Sequence, residues 1–114
     1  MDRLAKGHAA EKAAVAFLRS KGYRIVATNY RCRQGELDII ARDGDELVFV
    51  EVRSRSTGRY GDASMTVGSA KQRQIARVAQ AYLSREQPRF ATSRFDVVAV
   101  TGDALEHIVD AFRA

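Results

Sequence analysis

The stretch that decides the fold runs from residue 36 to residue 53: Glu36-Leu37-Asp38-Ile39-Ile40-Ala41-Arg42-Asp43-Gly44-Asp45-Glu46-Leu47-Val48-Phe49-Val50-Glu51-Val52-Arg53. Asp43-Gly44-Asp45 is a hairpin signal between two strand-like runs. Leu47 to Val50 sets four apolar residues in succession, the pattern of a central strand covered on both faces. Two acids break the hydrophobic runs, Asp38 in the first and Glu51 in the second. A carboxylate in a buried strand is costly unless it is paired or coordinates a cation. Side chains alternate along a strand, so Glu51 and Arg53 share a face. A turn pairing residue 43 with 46 sets Asp38 opposite Glu51. A turn at Asp43-Gly44 sets Asp38 opposite Phe49 and Glu36 opposite Glu51. Under strict alternation either register gathers Glu36, Asp38, Glu51 and Arg53 on one face. Opposed residues hold their Cβ atoms about 4.5–5.5 Å apart. Like charges that close repel unless a proton, an arginine or a cation stands between them. Oxygen donors of this kind suit Mg²⁺ or Mn²⁺. A carboxylate–arginine ladder through Arg53 meets the same need without a metal.

Working outward, residues 2–20 are alanine-rich, contain no proline and end at Lys21-Gly22, which reads as a helix. On it Leu4, His8, Glu11, Val15 and Leu18 fall along one seam, so Glu11 is a third acid where apolar residues belong. Residues 23–30 read as a strand, 31–35 as a polar turn and 54–65 as an exposed loop. Apolar spacing returns to helical over 67–84, through Ile75, Val78, Ala79 and Tyr82, with Pro88 just beyond. Residues 95–100 and 105–111 read as strands around Gly102-Asp103. The order αβββαββ is that of an α/β domain with a mixed sheet.

The chain has 114 residues, one proline and eight glycines, with no repeat or flexible linker, and reads as a single domain over 1–114. Its longest apolar run, Ala13 to Leu18, is six residues, against the roughly 20 of a membrane-spanning helix. The N-terminus lacks the apolar core of a signal peptide, and Cys32 is the one cysteine, which excludes an intrachain disulfide and a cysteine-rich zinc site. A cytoplasmic protein is expected. Net charge is +5, and its distribution is uneven: Arg53 to Arg94 holds nine bases and two acids, and the remainder ten bases and twelve acids. A basic middle on a near-neutral frame suits a polyanionic partner, although a solvated arginine-rich surface has the same composition.

Residues 31–41, Arg31-Cys32-Arg33-Gln34-Gly35-Glu36-Leu37-Asp38-Ile39-Ile40-Ala41, and 47–55, Leu47-Val48-Phe49-Val50-Glu51-Val52-Arg53-Ser54-Arg55, resemble the bacterial YraN family. So do Tyr60-Gly61, Lys71 and Arg94-Phe95-Asp96-Val97-Val98. The resemblance spans nearly the whole chain. It implies a restriction-endonuclease-like fold of the PD-(D/E)xK superfamily, near archaeal Holliday-junction resolvases. That pattern has an acid on the first helix, an Asp on one strand and Glu-x-Lys on the next. Glu11, Asp38 and Glu51 match its acids. Arg53 stands at the lysine position, and an arginine stays protonated at working pH. Lys71, on the apolar seam of the second helix one turn before Ile75, is a candidate for a migrated lysine or a phosphate contact.

The activity so implied is metal-assisted hydrolysis of a DNA phosphodiester, with Mg²⁺ or Mn²⁺ on Asp38, Glu51 and Glu11, and Arg53 stabilising developing charge. Arg31, Arg33, Arg55, Arg59, Lys71 and Arg73 are candidates for backbone phosphate contacts, which position DNA without reading its sequence. Tyr60 is a candidate stacking surface. A small nuclease cutting a junction favours a homodimer with two sites. Two further classes fit the same residues: a non-catalytic nucleic-acid-binding module, and an interaction subunit of a DNA-processing complex. His8 reads as structural, and neither His107 nor Cys32 is given a role. Asp96 reads as an arginine partner or cap rather than a metal ligand.

Overall fold

The computed structural model describes the backbone of residues 3–55 and 67–113, and the side chains of residues 8–54 and 67–113. Its elements are α1 (Arg3–Ser20), β1 (Arg24–Cys32), β2 (Gly35–Asp43), β3 (Glu46–Arg55), α2 (Ser69–Glu86), β4 (Thr92–Thr101) and β5 (Ala104–Phe112). The element order is the expected αβββαββ. The strands form one mixed sheet in the order β1-β2-β3-β4-β5. The pair β3–β4 is parallel and the other neighbours are antiparallel. A parallel pair needs a long crossover, and α2 supplies it.

The hairpin pairs Asp43 with Glu46 and turns at Gly44-Asp45, with Gly44 at φ 63°. The apolar run Leu47 to Val50 forms the centre of the sheet and is at most 1% exposed. Helix α1 covers one face, where Ala10, Ala14 and Leu18 pack with Ile39, Ala41, Val48, Val50, Val98 and Val100. Helix α2 covers the other, where Ile75, Val78, Ala79 and Tyr82 pack with Leu37, Ile40, Leu47, Phe49 and Val97. The left-handed Gln87 (φ 47°) ends α2, its N–H donating to the Leu83 carbonyl at 3.0 Å. Pro88 follows, as is common after such a cap.

Three local expectations are corrected. The buried stripe of α1 is Ala10, Ala14 and Leu18, whereas Glu11 and Val15 are half-buried at its border. Small alanines let the helix sit close to the sheet, so the seam shifts by one position. The polar turn is shorter than residues 31–35, because β1 extends through Cys32 by pairing Arg31 with Glu36 and Cys32 with Gly35. Ser54 and Arg55 belong to β3, held by pairing with Val100 and Thr101, rather than to a loop. The rest of that expected loop, including Arg59 and Tyr60, lies outside the described residues. Among the described residues no helix is long and apolar enough to cross a membrane.

Candidate metal centre and its surroundings

Strands β2 and β3 pair as far as Ile39 opposite Val50. Continued, that register sets Asp38 opposite Glu51, the first of the two alternatives. The ladder does not continue: the Val52 N–H donates to Asp38 Oδ2 at 2.8 Å. From there the beginning of β2 stays with β1, and the end of β3 stays with β4. The sheet therefore forks, and its two acids stand at the fork.

The faces of β2 also change phase there. Leu37 packs in the α2-side core and Ile39 in the α1-side core, although strict alternation places both on one side. Opposite them on β1, Ala27 and Tyr30 pack on the α2 side, three residues apart. Between the pairs Thr28–Ile39 and Tyr30–Leu37 stands Asn29, at φ 53°. Asparagine is among the residues that tolerate this left-handed region. The two-residue period thus fails at Asn29 and Asp38 together. This corrects the expected single face: Glu36 falls on the α1 side and pairs with Arg31 at 3.0 Å, while Glu51 and Arg53 stay in phase with Leu47 and Phe49 on the α2 side.

The electrostatics follow from this crowding. Asp38 and Glu51 are close enough that each carboxyl shifts the protonation of the other. Burial, and then the Asp38 charge, push Glu51 up to about 7, against the opposing pull of Lys71 and Arg53. Burial raises Asp38 as well, partly offset by the Val52 N–H. Glu11 reaches the group from α1: burial and the Asp38 charge raise it, and a hydrogen bond with the Asn29 side chain lowers it. Lys71, in the first turn of α2, sets its Nζ 3.6 Å from Glu51 Oε2. Glu51 is only 11% exposed there, whereas the Lys71 side chain is 40% exposed, so the pair is buried on its carboxylate side and open to water on its ammonium side.

Glu11, Asp38, Glu51, Arg53 and Lys71 therefore meet at one end of the sheet. Among the described residues no three His, Cys, Asp or Glu side chains form a ready-made cage for a metal. The donor set nonetheless fits a hard divalent cation, since Mg²⁺ commonly takes one or two carboxylates and completes its shell with water and phosphate oxygens. The phosphate-contact candidates divide. Arg33 and Arg73 are exposed, and Arg31 is exposed but tied to Glu36. Arg59 and the side chain of Arg55 lie outside the described residues.

A second polar cluster escaped the reading of the sequence. Arg94, nearly buried on β4, bonds Asp96, Glu46, Asp43 and the Tyr23 hydroxyl. Asp96, fully buried, accepts from Arg94 as expected, and also from His107 Nε2 at 2.8 Å and the Asp110 N–H at 2.9 Å. The other ring nitrogen of His107 meets Lys21 Nζ at 2.7 Å. This network ties β2, β3, β4 and β5, and Tyr23 just ahead of β1, together at the hairpin end of the sheet, away from the fork. The one signal for it was the spacing Arg94-x-Asp96, which sets both residues on one face.

The family model for UPF0102, described as an uncharacterised protein family, matches residues 10–100. A UPF0102 protein of Syntrophus aciditrophicus is 48% identical over 113 residues, covering 96% of this chain and 89% of the relative. A UPF0102 protein of Symbiobacterium thermophilum is 52% identical over 94 residues, covering 82% and 80%. The UPF0102 protein YraN of Salmonella arizonae is 47% identical over 108 residues, covering 93% and 82%. The matched span contains Glu11, Asp38, Glu51, Arg53 and Lys71, and the chain belongs to the UPF0102 (YraN) family.

Proposed function

We propose that this chain is a divalent-metal-dependent nuclease that hydrolyses DNA phosphodiester bonds, with branched or single-stranded DNA as its substrate. The observation that carries the reading is the fork: two carboxylates from diverging strands stand together in a poorly hydrated place, with a lysine beside them. A pair of acids so placed takes up either a proton or a cation. Asp38 and Glu51 would hold Mg²⁺ or Mn²⁺, with Glu11 at its outer side. When bound, the ion acidifies the attacking water and offsets charge on the scissile phosphate.

The chain's own residues supply the rest. The Val52 N–H fixes the orientation of the Asp38 carboxylate. Arg53 cannot take a proton from water, but its fork of donors suits the non-bridging oxygens of a phosphate. Lys71 neutralises Glu51 before substrate arrives and then turns its ammonium to the phosphate. It thereby takes over the lysine position that Arg53 leaves vacant in the PD-(D/E)xK pattern. A non-catalytic binding module of the same fold is the second reading, and the permanent charge of Arg53 favours it.

The test is incubation with Mn²⁺ and then Mg²⁺ on labelled branched, single-stranded and duplex DNA, with Asp38→Ala and Glu51→Ala alongside. Cleavage by the wild type that both variants lose supports the nuclease. Salt-dependent binding without cleavage leaves the binding module in its place.

A further inference from the structure

A cavity of about 470 Å³ opens between α1 and β1, beside the acids. Glu11 lines it and interacts with Asp38 behind, so cavity and fork are continuous through one side chain. Lys12 and Arg19, both exposed, stand along its helical wall with the exposed His8 at one end. Thr28 and Asn29 form the strand wall, and Val15 gives it an apolar patch. Among the described residues Glu11 is the one acid in the lining. None of Lys12, Arg19, Val15 or Thr28 has a part in the site described above.

We propose that this groove holds the nucleic-acid strand that flanks the cleaved phosphate, as a single strand. The charge is complementary: two permanent cations line a wall that leads to the acids. Residues 8, 12, 15 and 19 recur at helical spacing on one side of α1. From the first to the last they span about 16 Å at 1.5 Å per residue. At the helical rise of about 3.4 Å per phosphate along one strand, that length takes roughly five nucleotides. Lys12 and Arg19 neutralise its phosphates, the Thr28 and Asn29 side chains offer hydrogen bonds to sugar or base edges, and Val15 lies under the sugars. A groove bounded by one helix and one strand has room for a single strand rather than a duplex about 20 Å across. A strand running past Glu11 reaches Asp38 and Glu51 next, which makes the branched or frayed end of a duplex the fitting substrate.

The inference rests on the nucleic-acid reading of the fork but not on turnover, so it is tested in EDTA, where cleavage plays no part. The probes are a fluorescein-labelled 12-nucleotide oligothymidine and its oligouridine counterpart, titrated by anisotropy at several salt concentrations. The variant is Lys12→Ala with Arg19→Ala. The control is Arg77→Ala with Arg85→Ala, which removes equal charge from the exposed surface of α2. The groove variant is expected to lose about tenfold or more in affinity and to flatten the salt slope by about 1.4, or 0.7 per lost phosphate contact. The control should keep the wild-type slope. Equal losses in the two variants, or no single-strand binding by the wild type, overturn the groove. Groove-dependent binding by a protein that never cleaves with Mn²⁺ overturns the nuclease instead and leaves the groove standing. The DNA and RNA arms show which sugar the groove accepts.

Discussion

The Val52 N–H donates to Asp38 Oδ2 at 2.8 Å, at the point where β2 and β3 cease to pair. One carboxylate oxygen thus takes the place of a strand carbonyl. The exchange satisfies the backbone donor, which must be paired when buried, and it holds Asp38 beside Glu51. The separation of the two strands and the meeting of the two acids are one feature.

Among the described residues Lys71 is the cation that pairs with the Glu51 carboxylate, at 3.6 Å. Lys71→Ala should lower the rate of cleavage by about 100-fold, the scale seen when one transition-state donor is removed. Lys71→Arg should restore phosphate affinity but not the rate, if a mobile ammonium is what the site needs. Single-turnover rates and KM for the two variants separate these effects.

The protonation of Glu51 has a consequence for stability. Its folded pKa, about 7, lies above the ordinary glutamate value of 4.5, so the folded state binds the proton more tightly. The resulting stability is complete below about 4.5 and is lost as pH rises through 7. Without divalent metal, the melting temperature should therefore rise as pH is lowered from 8 to 6. Mg²⁺ at millimolar concentration should flatten that dependence by stabilising the charged pair, and Glu51→Gln should remove it. Calorimetry at pH 6, 7 and 8, with and without the metal, checks all three.

Asp96 has the opposite sign. Burial pushes it up, but the hydrogen bonds from His107, Arg94 and the Asp110 N–H outweigh burial and hold it below 3.8. Its contribution is complete above about 4 and is lost as pH falls through the lowered folded value. Asp96→Ala leaves Arg94 and His107 facing a buried gap and should cost about 3 kcal/mol, as when one partner of a buried pair is removed. Urea unfolding of wild type and variant at pH 7 measures the cost. At acid pH the difference between them should shrink.

Gly35 opens β2 at φ 140°, and a Cβ there would lie 2.7 Å from Gln74 Nε2 on α2. Gly35→Ala should destabilise the fold by about 1–3 kcal/mol through the backbone conformation and the contact together. Combining it with Gln74→Ala should recover the part due to contact and leave the backbone part. A double-mutant cycle by chemical denaturation separates them.

What could be read from the sequence was what local pattern controls. Asp43-Gly44-Asp45 specified the hairpin, and the run Leu47 to Val50 specified the central strand. Glu51 stood out because it interrupts that run, and Lys71 because it stands on the apolar seam ahead of Ile75. The change of phase at Asn29 and Asp38 was hidden, since a strand that slips its period has no mark in composition beyond an asparagine able to adopt a positive φ. The Arg94 network was hidden for a different reason. Its members Tyr23, Asp43, Glu46, Asp96 and His107 come from five strands or their edges, and only the folded sheet brings them together. Glu11 was legible as an anomaly, but its depth was overstated, because Ala10, Ala14 and Leu18 face the sheet and leave Glu11 and Val15 at the border.

The most direct measurement is a titration of Mn²⁺ into the metal-free protein by calorimetry, repeated on Asp38→Ala and Glu51→Ala. Binding to the wild type that is lost or weakened at least about tenfold in each variant, with proton release near pH 7 as Glu51 ionises, is the predicted result. Binding of equal strength in all three proteins, or none in the wild type, contradicts the claim that the fork of β2 and β3 is a cation site.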